Sequence, residues 1–157
     1  RWKIPMHAFL LKTDQRTIER VPWPHPVNDK GYVAEAKLHG GTPELYRYYT
    51  LLNCSTITAI HMGNGDAIFV DDEGLIKGPV YQFFGVKGYP QPLAGRGLVL
   101  GTDSRGNSVS PETTQEWLHQ NVFWIERLTR DYWGICPAIA PNKVKATSMD
   151  AIEAILA

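Results

Sequence analysis

Short runs of apolar and β-forming residues, one of which alternates between apolar and polar positions at residues 17–21, cover much of the chain and predict a protein rich in strands. These runs lie at residues 7–11, 17–21, 56–62, 67–71, 80–86, 98–100 and 122–125. Asn64-Gly65 separates the third run from the fourth and predicts a two-residue hairpin turn in which both residues have positive φ. That turn places His61 opposite Ile68 and leaves Asp66 at a solvated tip.

Leu98-Val99-Leu100 differs from the other runs because it is uniformly apolar. A short strand of this kind is typical of a sheet that is covered on both faces. We therefore expect all three side chains to be buried.

Two proline-containing segments have the composition of helix starts. Thr42-Pro43-Glu44 and Ser110-Pro111-Glu112 each combine a capping hydroxyl, a proline at the first helical position and a carboxylate near the positive end of the helix. The first segment predicts a helix with one apolar face, formed by Leu45, Tyr49 and Leu52, that continues through Cys54. The second predicts a helix of about three turns that ends near Asn121.

The remaining segments predict less regular structure. Three prolines within residues 22–26 remove ladder donors, so residues 22–41 are expected to form mostly extended loop, with a short edge strand around residues 32–38. Residues 129–147 are expected to be irregular. Ser148 caps a last amphipathic helix, whose apolar side contains Met149, Ile152, Ile155 and Leu156.

This order of elements predicts an α+β fold: a single domain with a mostly antiparallel sheet and two to three helices. Arg1 is not a start residue and Met6 begins the first strand, so residues 1–5 are expected to lie upstream of the domain. Residues 6–126 form the predicted core, and residues 127–157 a C-terminal extension that ends in a helix.

The composition narrows the classes of function. The 157 residues contain 16 basic and 16 acidic side chains, whereas nucleic-acid binders usually carry a basic excess. No apolar run approaches the roughly 20 residues that span a membrane, and no signal peptide is evident. We therefore expect a cytoplasmic protein, with Cys54 and Cys136 as reduced thiols.

No residue pattern predicts a catalytic or metal site, and no cofactor is expected. His61 and the carboxylates at residues 66 and 71–73 are the nearest approach to a catalytic group. In the predicted register His61 and Asp72 lie about 13 Å apart along the hairpin, beyond the reach of a hydrogen bond. The glycines at 95, 97 and 101 lead into a strand rather than a helix, which excludes the dinucleotide-binding pattern.

A candidate recognition surface lies in the predicted loop from Lys87 to Gly97, together with the proline-rich segment from Pro22 to Pro26. Prolines and rings lose little conformational entropy on binding, and tyrosine and arginine are enriched at binding hot spots. The predicted binding residues are Lys87, Tyr89, Gln91, Arg96 and Trp23.

Five segments stand out as a set: Leu52-Asn53-Cys54, Asn64-Gly65-Asp66, Val70-Asp71-Asp72-Glu73-Gly74-Leu75, Pro92-Leu93-Ala94-Gly95 and Leu100-Gly101-Thr102-Asp103. Through them, from Met6 to about Ile125, the chain resembles an uncharacterised domain family encoded mainly by phages, plasmids and other mobile elements. The family has no assigned activity, so the resemblance implies provenance and favours a binding role.

The first hypothesis is therefore a non-enzymatic accessory protein of a mobile element that binds a host macromolecule, such as a host protein. The alternative is a protein that sequesters a small anionic ligand of nucleotide type through Lys87 and Arg96. The third is a small hydrolase assembled from carboxylates and histidines distant in sequence.

Overall fold

A computed structural model of the chain describes residues 5–26, 29–75 and 81–157. The described residues form eleven strands and four helices. The strands are β1 (Met6–Lys12), β2 (Thr17–Trp23), β3 (Ile57–His61), β4 (Ala67–Asp71), β5 (Gln82–Val86), β6 (Tyr89–Ala94), β7 (Gly97–Thr102), β8 (Ser108–Val109), β9 (Val122–Arg127), β10 (Trp133–Pro137) and β11 (Lys145–Thr147). The helices are α1 (Lys30–Leu38), α2 (Pro43–Leu52), α3 (Gln115–Asn121) and α4 (Met149–Leu156).

The strands form two antiparallel sheets. Sheet 1 has the order β2-β1-β7-β4-β3, with β8 paired to β7, and sheet 2 has the order β11-β10-β9-β5-β6. Alternate side chains of both sheets, among them Phe9, Val99, Phe84 and Trp124, meet in the largest apolar cluster. The main core therefore lies between the two sheets.

A helix covers the outer face of each sheet. Leu98 and Leu100 pack with Tyr48 and Leu52 of α2 outside sheet 1. Ile152 and Leu156 of α4 pack on the outer face of sheet 2. The result is a four-layer arrangement of helix, sheet, sheet and helix, which accounts for the complete burial of Leu98, Val99 and Leu100 and confirms that prediction.

The α+β class is confirmed, with four helices among the described residues rather than two to three. The prediction that residues 129–147 are irregular is wrong. β10 pairs with β9 and β11 pairs with β10, so residues of the predicted C-terminal extension complete sheet 2. None of the helices in the described residues is long and apolar enough to cross a membrane.

The two predicted helix caps at Thr42 and Ser148 are confirmed. The side chain of Thr42 accepts a hydrogen bond from the backbone N–H of Leu45, and that of Ser148 accepts one from Ala151. The predicted start at Ser110 is wrong, because Thr114 caps α3. The Ser110 hydroxyl instead accepts a hydrogen bond from the backbone N–H of His7, at 3.0 Å.

The predicted extended loop over residues 22–41 is also wrong, since it contains α1. Asp29 caps this helix by accepting from the backbone N–H of Tyr32. The sequence pattern is weak here because Ala36 is the single buried residue of α1 among those described. Contacts with α2, including that between the rings of Tyr32 and Tyr46, hold the helix in place.

The β3–β4 hairpin forms as expected, but its register differs by one residue. His61 pairs with Ala67 and Ile60 pairs with Ile68. A hydrogen bond from the backbone N–H of Met62 to the Asp66 carbonyl continues this pairing and leaves a three-residue loop at residues 63–65. Gly63 and Gly65 have positive φ and Asn64 does not. The predicted turn at Asn64-Gly65 is therefore wrong.

The predicted loop from Lys87 to Gly97 is largely a strand. β6 pairs with β5 through the short turn Lys87-Gly88, in which Gly88 has a φ of +98°. Two prolines in β6 concealed the strand in the sequence, and they are tolerated because β6 lies at the edge of sheet 2.

Candidate functional site

A cleft of about 550 Å3 opens between the two sheets. It lies where the β3–β4 hairpin, the β5–β6 turn and the segment leading into α3 meet. Its apolar residues are Ile60, Met62, Ile68, Val86 and Leu93, with the rings of Tyr89 and Trp117, and its polar ones include His61, Asn64, Lys87, Glu112, Thr113 and Thr114. We call it the inter-sheet cleft.

Two aromatic rings stand in the walls of this cleft. Tyr89, at the start of β6, is half-buried and packs against the main core. Trp117, on α3, is 37% exposed, although tryptophan is highly buried on average. Both rings are therefore available to contact a bound group.

A buried carboxylate joins two segments that line the inter-sheet cleft. Asp66 is 1% exposed and accepts hydrogen bonds from the backbone N–H groups of Glu112 and Thr113, at 3.0 and 2.7 Å, and from the Thr113 hydroxyl. The side chain of Asn64 donates to the same Thr113 hydroxyl oxygen, at 3.0 Å. These bonds join the hairpin tip to the segment before α3, so the expectation of a solvated Asp66 is wrong.

The β5–β6 turn on the opposite wall is anchored by the ends of two helices. Lys87 Nζ donates to the Ile155 carbonyl at 3.0 Å. The backbone N–H of Gly88 donates to the Leu156 carbonyl at 2.7 Å, and that of Lys87 to the Asn121 carbonyl at 2.9 Å. Lys87 thus stabilises the C-terminal end of α4, and its ammonium is already engaged at the rim of the cleft.

Arg96 does not line the inter-sheet cleft. It borders a second cleft, of about 590 Å3, that also contains Asp14 and Asn53. Its guanidinium donates to both oxygens of Asp14 at 2.8 Å, and a third N–H donates to the Leu51 carbonyl at 3.4 Å. The hydrogen bond from Arg96 lowers the pKa of Asp14 and raises that of Arg96.

The five predicted binding residues do not form one surface. Lys87 and Tyr89 line the inter-sheet cleft, Arg96 lines the second cleft, and Gln91 is exposed on β6. Trp23 is 4% exposed and packs edge-on against the ring of Tyr48, with a centroid distance of 4.7 Å. The expectation that Trp23 is exposed is therefore wrong.

Trp117 and Thr113 are two of the cleft residues that sequence reasoning missed. The interpretation of Ser110-Pro111-Glu112 as a helix start hides the contacts of Thr113 with Asp66. No local pattern could have revealed them, because the two residues lie 47 positions apart in the chain. The sequence pattern places Trp117 among the residues that close the predicted helix and indicates nothing more about it.

The titratable side chains of the described residues give little support for a catalytic or metal site. In residues 5–26, 29–75 and 81–157, no group of three or more His, Cys, Asp or Glu side chains could hold a metal ion. Within the same residues, His61 pairs with no carboxylate. Cys54 and Cys136 form no disulfide, and burial raises the pKa of the Cys136 thiol.

Comparison with known proteins points to a family without an assigned role. Residues 25–121 match a family described as "Domain of unknown function (DUF3846)". The uncharacterized protein y4iR of Sinorhizobium fredii (strain NBRC 101917 / NGR234) is 35% identical over 63 residues, which are 40% of this chain and 38% of that protein. The match thus spans less than half the length of that relative. No solved structure matches the chain.

Proposed function

This chain belongs to the DUF3846 family of domains of unknown function, and from the geometry of its inter-sheet cleft we propose that it is a non-enzymatic accessory protein that binds another macromolecule. The partner is a protein of the host, and the chain is encoded by a mobile genetic element. This provenance rests on the resemblance carried by the five segments named above. The binding role rests on the cleft itself.

The single observation that carries the proposal is the combination of an apolar floor with two accessible rings. The volume of about 550 Å3 falls within the roughly 300–1,000 Å3 that is typical of binding clefts. Tyrosine and tryptophan rings contribute large contact areas at a small cost in side-chain entropy. Lys87 and Glu112 at the rim have opposite charges, which favours an uncharged or weakly charged partner surface.

Truncating either ring should weaken binding without unfolding the protein. We expect Trp117→Ala and Tyr89→Ala to weaken capture of the partner from host lysate by about tenfold or more, as is usual for a hot-spot aromatic. Tyr132→Ala is the matched control, because Tyr132 is 60% exposed and does not line the cleft. The measurement is the amount of partner retained on immobilised protein, with the melting temperature of each variant recorded alongside. Equal retention by all three variants would place the binding site elsewhere.

Nucleotides and divalent metal ions should leave the melting temperature unchanged. Arg96 and Lys87, the two cations of the anion-binding alternative, are engaged by Asp14 and by the Ile155 carbonyl. A ligand at about 100 times its Kd stabilises a protein by about 2.7 kcal/mol, so a thermal-shift panel would reveal it. A rise with one nucleotide would favour the sequestering protein instead, and a rise with one metal ion would favour the hydrolase.

A further inference from the structure

Four of the described strands, β2, β3, β6 and β11, lie at the ends of the two strand orders, and three of them carry features that prevent pairing with another chain. β2 contains Pro22, and its backbone carbonyls at Ile18 and Pro22 accept hydrogen bonds from Gln115 and Arg47, respectively. β6 contains two prolines, and β11 has three residues, including a lysine. Proline, shortness and edge lysines are the devices by which natural sheets protect their edges.

β3 has none of these devices. Its sequence, Ile57-Thr58-Ala59-Ile60-His61, contains no proline and no Asp, Glu, Lys or Arg. Within the described part of the chain, its backbone pairs with β4 alone. An edge of this composition is a template for strand addition.

The hydrogen-bonding pattern between β3 and β4 shows which backbone N–H and C=O groups of β3 point away from β4. Met62 N donates to Asp66 O at 3.0 Å, immediately after β3, so this pair is hydrogen-bonded. Because such pairs alternate along an antiparallel ladder, the N–H and C=O groups of Ile57, Ala59 and His61 point away from β4.

We infer that β3 binds an extended segment of the partner protein as an added strand, and that the inward side chains of this segment lie over the inter-sheet cleft. This inference rests on the function proposed above and specifies how the partner is held. Side chains of a strand alternate between its two faces. Every second side chain of the added segment would therefore point in the same direction as that of Ile60, toward the space between the sheets. Pairing supplies main-chain hydrogen bonds and the cleft selects side chains, as in other cases of strand addition.

The chemistry of the edge defines the segment. Since β3 is uncharged and the cleft floor is apolar, the segment is uncharged, with large apolar residues at alternate positions. A second copy of this chain fits less well. Paired antiparallel about Ala59, it would direct Thr58 and Ile60 inward, and only one of these two side chains is a large apolar one.

Selection from a random peptide library displayed on phage, followed by synthesis of one selected peptide as the probe, tests the inference. We expect apolar residues at alternate positions of the selected peptides. On addition of the probe, hydrogen exchange of the Ile57, Ala59 and His61 amides should slow by about tenfold or more, because each becomes a ladder hydrogen bond. The Ile60 amide, already bonded to β4, should change less.

Two substitutions at Ala59 provide a second test of strand addition. Ala59→Pro removes one outward N–H and should weaken probe binding by about tenfold, whereas Ala59→Ser retains that N–H and should bind like the native chain. The exchange measurement on the native chain decides the question should Ala59→Pro fail to fold.

Three results would overturn the inference. They are a library without binders, a probe that leaves the three outward amides unprotected, and a native dimer whose β3 amides are protected without any peptide. If the probe binds, depends on Trp117 and leaves those amides unchanged, the cleft binds a partner and only strand addition fails. If Trp117→Ala has no effect while the amides become protected, strand addition holds and the cleft-based function fails.

Discussion

Leu98→Ala should lower the free energy of unfolding by about 2–5 kcal/mol, the range for a leucine truncated in a well-packed core. Leu98 is fully buried and lies in a central strand of sheet 1, beneath α2. The strand cannot move to fill the space, because Val99 on its opposite face is fixed between the two sheets. Denaturant titration measures the loss.

Leu38→Ala is the control for this change, since it deletes the same atoms from a side chain that is 80% exposed. Its unfolding free energy should stay within about 0.5 kcal/mol of the native value. Equal losses for the two variants would show that the layer formed by α2 contributes no packing, and the four-layer arrangement would have to be revised.

Asp66→Ala should lower the free energy of unfolding by about 3 kcal/mol, because it leaves the buried backbone N–H of Thr113 and the partly buried one of Glu112 without an acceptor. The variant should also release the segment before α3 and thereby enlarge the inter-sheet cleft. Binding of the partner or of the peptide probe should weaken together with stability, since Trp117 follows that segment.

The control is Asp103→Ala. Asp103 likewise accepts hydrogen bonds from two backbone N–H groups, those of Arg105 and Asn107, but it is exposed. Water replaces the lost acceptor there, so the loss of stability should be far smaller. If the two substitutions lower the free energy of unfolding equally, burial of Asp66 adds nothing to stability. Its hydrogen bonds then do not hold the hairpin tip to the segment before α3.

Local chemistry was enough to predict several elements. The caps at Thr42 and Ser148 depend on a side chain and a backbone N–H three residues away, and such short-range bonds are visible in the sequence. The helix start at Ser110 failed for the opposite reason. Its hydroxyl bonds to His7, 103 positions away, and this contact outweighs the local preference.

The candidate site could be predicted only in part. Tyr89 and Lys87 lie at the inter-sheet cleft, as part of the surface expected from composition, but Arg96 and Trp23 do not. Arg96 is paired with Asp14, 82 positions away in the chain, and Trp23 is covered by α2. Neither contact produces a pattern along the sequence, because each depends on which strands become neighbours.

The sequence by itself determined the strand-rich character, the burial of Leu98-Val99-Leu100 and the hairpin near Asn64, since periodicity and turn residues act over a few positions. Only the tertiary structure decided that the strands divide into two sheets, that Asp66 is buried and that β3 is left at an unprotected edge. Those outcomes depend on pairing between residues far apart in the chain, where the gain from burial and hydrogen bonding outweighs local propensity.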